Sequence, residues 1–360
     1  MGNKTHKKVL IVTDSTLVKL GIVKSVTDVL EENRVDYVLY DETHSNPVEK
    51  DVEKGAASFK KNKCDSLLAV GGGSPIDTAK VIKITVSHKG PLEEFDDARG
   101  GSNKIKNLMP PLYALPTTAG TGSEVGRCGV IIMKKTGLKT IFFHPELIPD
   151  IAALEPELSF SLPPHITAAT GIDAFTHSLE AYLAPEFHPM ADGIALQSIK
   201  LILKFLPIAY REGKNIEARS KMLLAASMGA TAFQKGLGMI HSLAHPLSAR
   251  CNMHHGLANA LLGPPAIQFL EKCELHKEQK GRMEDVQSLF QEAGFGGSTL
   301  SQSCTTFYQS IGINFGLTNH NIHKSNLEML SGDAFQDECH KTNMIPVSKD
   351  DLYSIYKSAL

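Results

Sequence analysis

Three features are missing from this sequence: cysteine pairs spaced CxxC, a long apolar run, and an excess of charge of one sign. The six cysteines are scattered, at Cys64, Cys128, Cys251, Cys273, Cys304 and Cys339. Scattered cysteines in a long chain are typical of a reduced, intracellular protein rather than of a disulfide scaffold. The chain has no run of about 18 apolar residues that could span a membrane, and the polar stretch Met1–Lys8 does not resemble a signal peptide. We therefore expect a cytoplasmic protein.

The charged residues are balanced, with 37 Lys and Arg against 39 Asp and Glu and a formal net charge of −2. A surface that attracts nucleic acid or a membrane is therefore not expected. Hydrophobic residues make up 42% and charged residues 21% of the 360 positions, which is ordinary for a globular protein. At roughly 100–200 residues per domain, this length predicts two domains.

The first part of the chain alternates strand-like and helix-like segments, which predicts a Rossmann-like α/β domain with a parallel sheet. Apolar runs predict strands at 9–14, 35–40, 65–70, 112–115, 129–133 and 140–143, with helices at 23–32, 47–61 and 75–88. The prolines within Leu158–Pro164 indicate a boundary. We predict an α/β domain over 1–158 and an all-α domain over 159–360, with helices at 171–183, 191–205, 216–234 and 256–262.

A glycine-rich turn follows the third predicted strand, in Ala69-Val70-Gly71-Gly72-Gly73-Ser74-Pro75-Ile76-Asp77. Glycines let a ligand approach the backbone closely, and proline is favoured at the first helical position. The free N–H groups at such a helix N-terminus attract phosphate. The turn differs from the GxGxxG fingerprint. The residues alone therefore leave two interpretations open: a phosphate site, or a tight strand–helix turn without a ligand.

Two further segments are candidates for cofactor contact. Hydroxyl residues and glycines follow one another in Pro116-Thr117-Thr118-Ala119-Gly120-Thr121-Gly122, which suits either a cofactor-binding loop or a polar surface loop. Asp14 closes the first strand, where a carboxylate can bind ribose hydroxyls and disfavour a 2′-phosphate, and so favour NAD over NADP. Taken alone, Asp14 is explained more simply as a helix N-cap.

The second part of the chain contains candidate metal ligands. Asp173 and His177 are four residues apart, on one face of a predicted helix, where a carboxylate and an imidazole can share a divalent cation. A pair of this kind is more often a helix salt bridge.

Downstream, four histidines fall within fifteen positions among mostly apolar neighbours: His241, His245, His254 and His255. Buried neutral imidazoles need partners, and a metal supplies one. Together with the upstream pair they predict a zinc or iron site. The alternative is a set of satisfied core histidines plus a surface pair. Pro246 disfavours α geometry at His245 and predicts a kink there.

These motifs share their order with one family. The glycine–serine–proline–aspartate run, the Thr-Thr-Ala-Gly-Thr-Gly segment, Gly171-Ile172-Asp173-Ala174-Phe175-Thr176-His177 and the His-rich block together resemble the iron-containing alcohol dehydrogenases. The resemblance extends from about Lys8 to the C-terminus and is nearest to the lactaldehyde reductase and 1,3-propanediol dehydrogenase branch. It implies an NAD-binding α/β domain and a helical metal-binding catalytic domain, the architecture shared with dehydroquinate synthase.

The resemblance also implies roles for individual residues. It implies a metal held by Asp173, His177, His241 and His255, with His245 outside the metal shell as a catalytic proton relay. It implies cofactor contacts at Asp14, Asn46, Gly72, Gly73, Ser74, Asp77, Thr117, Thr118, Thr121 and Lys139. Relatives suggest a homo-oligomer, a dimer or larger.

The sequence departs from the family pattern at several places and retains the four ligand positions. An extra strand and helix usually precede the first strand. Gly126 stands where relatives often have a threonine facing the cofactor, and Cys128 where some have asparagine. Gly263 replaces an expected leucine, and the stretch after Pro265 is shorter than usual.

The expected reaction is hydride transfer between NAD and a primary alcohol or short diol, giving the aldehyde. Three imidazoles and one carboxylate suit Fe(II) or Zn(II) equally, so the preference for iron rests on the resemblance. Zinc would point to a polyol oxidoreductase like glycerol dehydrogenase. A non-catalytic or weakly active binding or assembly module is another alternative. A lyase like dehydroquinate synthase fits the Asp/His spacing less well.

Overall fold

The structure is a computed structural model that describes residues 7–360. It divides into two compact units. The first contains the chain through Thr118 together with Ser123–Ser161, and the second contains Ala119–Gly122 and Leu162–Leu360. The segment Ala119–Gly122 therefore clusters with the helical unit, although it lies in the α/β part of the sequence.

A parallel sheet forms the centre of the first unit. The strands of this unit are β1 (Lys8–Val12), β2 (Asp36–Tyr40), β3 (Ser66–Gly71), β4 (Leu112–Pro116), β5 (Cys128–Ile132), β6 (Lys139–Phe143) and β7 (Ile151–Ala152). Five of them pair in parallel in the order β2-β1-β3-β4-β7, and β5 and β6 form a separate antiparallel ribbon. The two-residue β7 was not predicted from the sequence.

Among the described residues, four α-helices accompany this sheet: α1 (Ser15–Lys19), α2 (Ile22–Glu32), α3 (Glu49–Lys61) and α4 (Gly73–Ser87). The central strands β1 and β3 are buried on both faces, which explains their nearly continuous apolar sequences. In β1, Leu10 and Val12 join one apolar cluster, whereas Val9 and Ile11 join another. Successive side chains of a strand point to opposite faces, so one strand supplies both clusters.

The strand order places a switch point between β1 and β3. From β1 the chain moves outward to β2, and it then crosses back over β1 to reach β3. In open parallel sheets, ligands bind outside the carboxyl ends of the strands at such a point. Asp14 follows β1 there, and the glycine turn follows β3.

The second unit is built of helices: α5 (Pro164–Leu183), α6 (Pro189–Arg211), α7 (Ile216–Ala232), α8 (Met239–Cys251), α9 (His255–Lys272), α10 (Lys277–Glu292), α11 (Leu300–Ser310), α12 (Leu327–Gln336) and α13 (Lys349–Ser358). The central helix α5 is buried from Thr167 to Leu183 and contacts α6, α7 and α9. The first unit contains a parallel sheet with helices, and the second contains helices. This architecture confirms the predicted fold class.

Three predicted helix limits in this unit were wrong, and each error involves proline. The helix predicted from 171 begins at Pro164, and the one predicted to end at 262 continues through Pro264 and Pro265 as α9. The helix predicted to end at 205 likewise continues through Pro207 to Arg211, and α8 runs through Pro246, so His245 is helical. An interior proline removes one backbone hydrogen bond. Because residues beside Pro246, Pro264 and Pro265 are buried in the core, tertiary packing overrides the local preference there. Pro164 instead occupies the first turn of α5, where proline is favoured.

One helix in the described part of the chain, α6, is long and apolar enough to cross a membrane by length and composition. Half of its apolar stretch is buried within the protein. It packs against α5 and α7, as a core helix does.

Candidate metal centre and cofactor site

The glycine turn after β3 forms a helix N-terminus open to a ligand. Gly72 is the N-cap of α4, and in the described part of the chain no side chain caps this end. Its N–H groups are therefore available to a phosphate. Gly71 has φ of +154°, and a Cβ there would lie 2.5 Å from Pro75 Cγ, so only glycine fits.

Neighbouring loops are tied to this turn. The Thr117 N–H donates to the Gly71 carbonyl at 3.1 Å, which brings the end of β4 beside the turn. Ser74 Oγ donates to the Ser45 carbonyl at 2.6 Å, which fixes the loop that carries Asn46. A Cβ at Gly72 would lie 2.9 Å from Thr118 Oγ1. Predicted cofactor residues from three loops therefore meet at one edge of the sheet.

Asp77 and Asp14 both have structural partners. The Asp77 carboxylate accepts hydrogen bonds from Ser123 Oγ at 2.6 Å and from the Val130 N–H at 3.2 Å. Burial raises the pKa of Asp77, and the nearby Lys80 and Lys139 charges oppose this shift. These contacts attach α4 to the segment that leads into β5, and cofactor contact by Asp77 and Lys139 stays a prediction.

Asp14 caps α1, as the simpler interpretation of the sequence anticipated. Its Oδ1 accepts the N–H groups of Thr16 at 2.8 Å and Leu17 at 3.0 Å. Its contact with ribose stays a prediction.

The loop around Thr121 contains two glycines that lie too close to helices of the second unit for a side chain to fit. A Cβ at Gly120 would lie 2.9 Å from Thr170 Cβ on α5. Gly122, at φ +61°, lies so close to α7 that a Cβ would approach Ala230 Cβ to 2.2 Å. These glycines therefore serve helix packing, which the sequence alone could not distinguish from cofactor binding.

Four side chains converge within the helical unit. Asp173 and His177 lie on α5, His241 on α8, and His255 is the first residue of α9. Asp173 Oδ1 is 3.5 Å from His255 Nε2, 3.9 Å from His241 Nε2 and 4.0 Å from His177 Nε2. Ligand atoms of Asp173, His177 and His241 all lie within 4.8 Å of one another. Three imidazoles thus face one carboxylate oxygen, whereas His254 is exposed.

Glu180, which the sequence analysis missed, orients His241. The Glu180 carboxylate lies one turn beyond His177 on α5 and is buried. One oxygen accepts the N–H of Ile240 at 2.6 Å, and the other is 2.5 Å from His241 Nδ1. His241 Nε2 therefore points toward Asp173, and this buried atom has no hydrogen-bond partner among the described residues. A buried ring nitrogen that faces a carboxylate and lacks a hydrogen-bond partner is typical of a metal ligand, because the ion would satisfy that nitrogen.

The charge state of His177 suits a metal ligand, whereas the carboxylates beside His241 shift its pKa in the opposite direction. Burial lowers the pKa of His177 to about 4, although Asp173 opposes the shift. Its imidazole is therefore neutral at neutral pH, as a metal ligand must be. Burial alone would lower the pKa of His241, but Glu180 and Asp173 outweigh it and the pKa rises. Two ligand atoms each about 2.0–2.2 Å from one ion lie roughly 3–4 Å apart, and the distances of 3.5–4.0 Å from Asp173 Oδ1 to the three Nε2 atoms match this.

A further residue positions the Asp173 carboxylate itself. Asn259 is fully buried on α9, one turn after His255. Its Nδ2 donates to Asp173 Oδ1 at 2.8 Å. Asn259 was not predicted from the sequence, although the same helical spacing that links Asp173 to His177 links Asn259 to His255.

His245 lies beside this group with a carboxylate partner of its own. Its ring stacks on that of His255 at 5.2 Å between centroids, and its Nδ1 is 2.7 Å from Asp337 Oδ2. Burial raises the pKa of Asp337, but His245 and three hydrogen bonds lower it well below its usual range. Asp337 is thus a fixed anion that holds the imidazole. It lies ninety-two residues beyond His245, so no local pattern could have revealed the pair.

Comparison with known proteins decides the family. Models of the iron-containing alcohol dehydrogenases match residues 2–156, and those of the family's C-terminal part match residues 167–360. The chain belongs to the iron-containing alcohol dehydrogenase family. The predicted resemblance is confirmed, and the protein is an oxidoreductase of the alcohol dehydrogenase class.

Three relatives illustrate the match. A 4-hydroxybutyrate dehydrogenase of Cupriavidus necator is 38% identical over 98% of this chain and 92% of its own length. An NAD-dependent methanol dehydrogenase of Bacillus methanolicus is 32% identical over 98% and 92%, respectively. The solved structure of a 1,3-propanediol oxidoreductase covers 99% of this chain and 92% of its own, with 32% identity and a TM-score of 0.90.

Two departures of this dehydrogenase from the family pattern are sterically mild. A Cβ at Gly126 would meet Ser123 O at 3.8 Å and Lys80 Nζ at 3.9 Å. A Cβ at Gly263 would touch the Tyr308 ring at 3.4 Å, an ordinary contact. A Cβ atom therefore fits at both positions without a close contact.

Proposed function

We propose that this alcohol dehydrogenase uses NAD and one divalent ion, Fe(II), to interconvert a primary alcohol or short diol and its aldehyde. The observation that carries the proposal is the group of three imidazole Nε2 atoms within 3.5–4.0 Å of Asp173 Oδ1. The substrates in the relatives' names, 4-hydroxybutyrate, methanol and 1,3-propanediol, share a primary hydroxyl group. Their common chemistry supports a primary alcohol as the substrate class.

Asp173, His177, His241 and His255 would hold the ion, and their donor set suits it because all four can bind as neutral imidazole or carboxylate. Bound there, a divalent ion supplies Lewis acidity toward the substrate oxygen. NAD would be held by the glycine turn and by the loops tied to it, and it supplies the hydride acceptor.

The residues of the chain supply the proton path. Asp337 accepts the Nδ1 hydrogen bond of His245 and so leaves Nε2 as the atom that can take up a proton. The His245 side chain is 27% exposed, so a proton taken from the substrate hydroxyl can pass on to solvent. Imidazole suits this task because its ordinary pKa is near neutrality.

The test is turnover under metal control. Anaerobically purified protein, stripped and then reloaded, is assayed for NADH oxidation with propanal, lactaldehyde and succinic semialdehyde. We expect turnover with Fe(II) and a preference for one of these aldehydes. Turnover restored by Zn(II) but not by Fe(II) would overturn the choice of iron, and absence of turnover with every ion and aldehyde would overturn the proposed reaction. We further propose that the enzyme is a cytoplasmic homo-oligomer. Its apparent mass in size-exclusion chromatography should then exceed the mass of one chain.

Changing Asp14 to serine tests the choice of cofactor. Serine is also a good N-cap, so α1 should retain its cap and the stability of the unit should change little. The carboxylate that would repel a 2′-phosphate is removed. We expect the ratio of kcat/KM with NADP to that with NAD to rise about tenfold or more, since a charge contact of about 1.4 kcal/mol corresponds to that factor. An unchanged ratio with an unchanged thermal midpoint would remove Asp14 from the ribose site.

A further inference from the structure

A second cluster of metal-ligating side chains lies beside the first. Ligand atoms of His245, Asp337 and Cys339 all fall within 4.8 Å of one another, and all three residues are partly exposed. The cluster shares no ligand with the group around Asp173. Its donors are nitrogen, oxygen and sulfur, whereas those around Asp173 are nitrogen and oxygen alone.

The cluster is held in place by the surrounding chain. Asp337 Oδ1 accepts Ser242 Oγ at 2.8 Å and the Cys339 N–H at 2.9 Å. The N–H of His340 in turn donates to Ser242 Oγ at 2.8 Å. Because Ser242 and His245 both belong to α8, the turn that carries Cys339 is attached to the helix that carries His245. Little rearrangement is therefore needed to bring the three donors around one ion.

The donor set also indicates which ion it would take. A thiolate, an imidazole and a carboxylate, with water as the fourth ligand, are a combination that Zn(II) favours. Sulfur is a poor ligand for Fe(II) outside clusters and sites built for it, so the two neighbouring groups differ in preference. The partial exposure of the side chains gives an ion a path from solvent.

We propose that His245, Asp337 and Cys339 form a second metal site that binds Zn(II) and thereby inhibits the enzyme. Binding releases the thiol proton of Cys339 to solvent and places one ring nitrogen of His245 on the ion. His245 can then no longer carry a proton for the substrate. The inhibition rests on the role of His245 in the proposed function, whereas the binding of the ion does not.

Co(II), which gives a near-ultraviolet charge-transfer band when bound to thiolate, is the probe for the site. Wild-type protein titrated anaerobically with Co(II) should bind two ions per chain and show this band. Cys339→Ser should bind one ion and lack the band. Asp173→Ala should also bind one ion but keep the band, because its remaining site is the one with sulfur. Cys273→Ser, which changes another partly buried cysteine, should behave like wild type.

The outcomes separate this site from the proposed function. A band that persists in Cys339→Ser, or a wild-type protein that binds a single ion without the band, would overturn the second site whatever the activity is. Where turnover is measurable, added Zn(II) should inhibit the Fe(II)-loaded wild type and lose this effect in Cys339→Ser. Equal inhibition of the two proteins would overturn the regulatory role.

Discussion

Changing His255 to alanine is expected to remove the metal and abolish turnover, whereas the same change at His245 should slow turnover and retain the metal. The two rings are stacked with 16° between their planes, so the variants create similar gaps in adjacent places. Of these two histidines, His255 is the one whose Nε2 faces Asp173 Oδ1, at 3.5 Å. His245 bonds instead to Asp337. Loss of one ligand in four should disable the site, while loss of a proton relay costs about 10²–10⁴-fold in kcat.

The measurement is metal content per chain for both variants, with kcat and NAD binding by calorimetry alongside. NAD binding should persist in both, because the residues expected to hold it, apart from Thr121, belong to the other unit. Equal loss of metal in the two variants would mean that the ligand shell has been assigned wrongly. Retention of metal by His255→Ala would remove this residue from the shell.

The second large effect is expected from Glu180→Gln, which should lower metal affinity about 10–100-fold. The Glu180 carboxylate accepts two donors at once, the Ile240 N–H and His241 Nδ1. A glutamine has one acceptor oxygen, so its NH2 group would face one of these donors. Either the backbone N–H or His241 then loses its partner, and the orientation that directs Nε2 toward Asp173 is no longer fixed.

Ser178→Ala is the matched control for this variant. Ser178 is also buried on α5, and its hydroxyl bonds to Ala174 O and Ser198 Oγ, away from the metal ligands. It should lower the thermal midpoint without a change in metal affinity, as measured by competition with a chelator. If both variants lower the affinity equally, the effect of Glu180 is general destabilisation and its role in orienting His241 is excluded.

The candidate metal ligands could be predicted from the sequence, whereas the residues that hold them in position could not. Asp173 and His177 fall one turn apart on a helix, and a block of four histidines lies downstream, so spacing alone predicted a metal site. The choice of His241 and His255 within that block rested on the family resemblance. Asp337 comes from a distant turn and meets His245 only through the packing of α8 against α12 and the turn after it. Such a contact leaves no periodic trace in a single sequence.

The fold, too, could be predicted in part. The strands β1 to β4 are short apolar runs and were predicted close to their observed limits, whereas the two-residue β7 was not predicted. The helix ends predicted at 205 and 262 were wrong, because Pro207, Pro264 and Pro265 lie inside helices whose burial outweighs the lost hydrogen bonds. The glycines at 120 and 122 show a further difficulty: the same residue type serves cofactor loops and close helix contacts, and only the structure tells which.

The central claim is that one ion is held by Asp173, His177, His241 and His255. Anomalous diffraction at the iron absorption edge, from crystals of anaerobically purified protein, tests it directly. We predict one peak per chain, about 2.0–2.2 Å from one Asp173 oxygen and from the three Nε2 atoms. Density showing these four side chains turned away from a common point, or an ion bound only by other residues, would contradict the account.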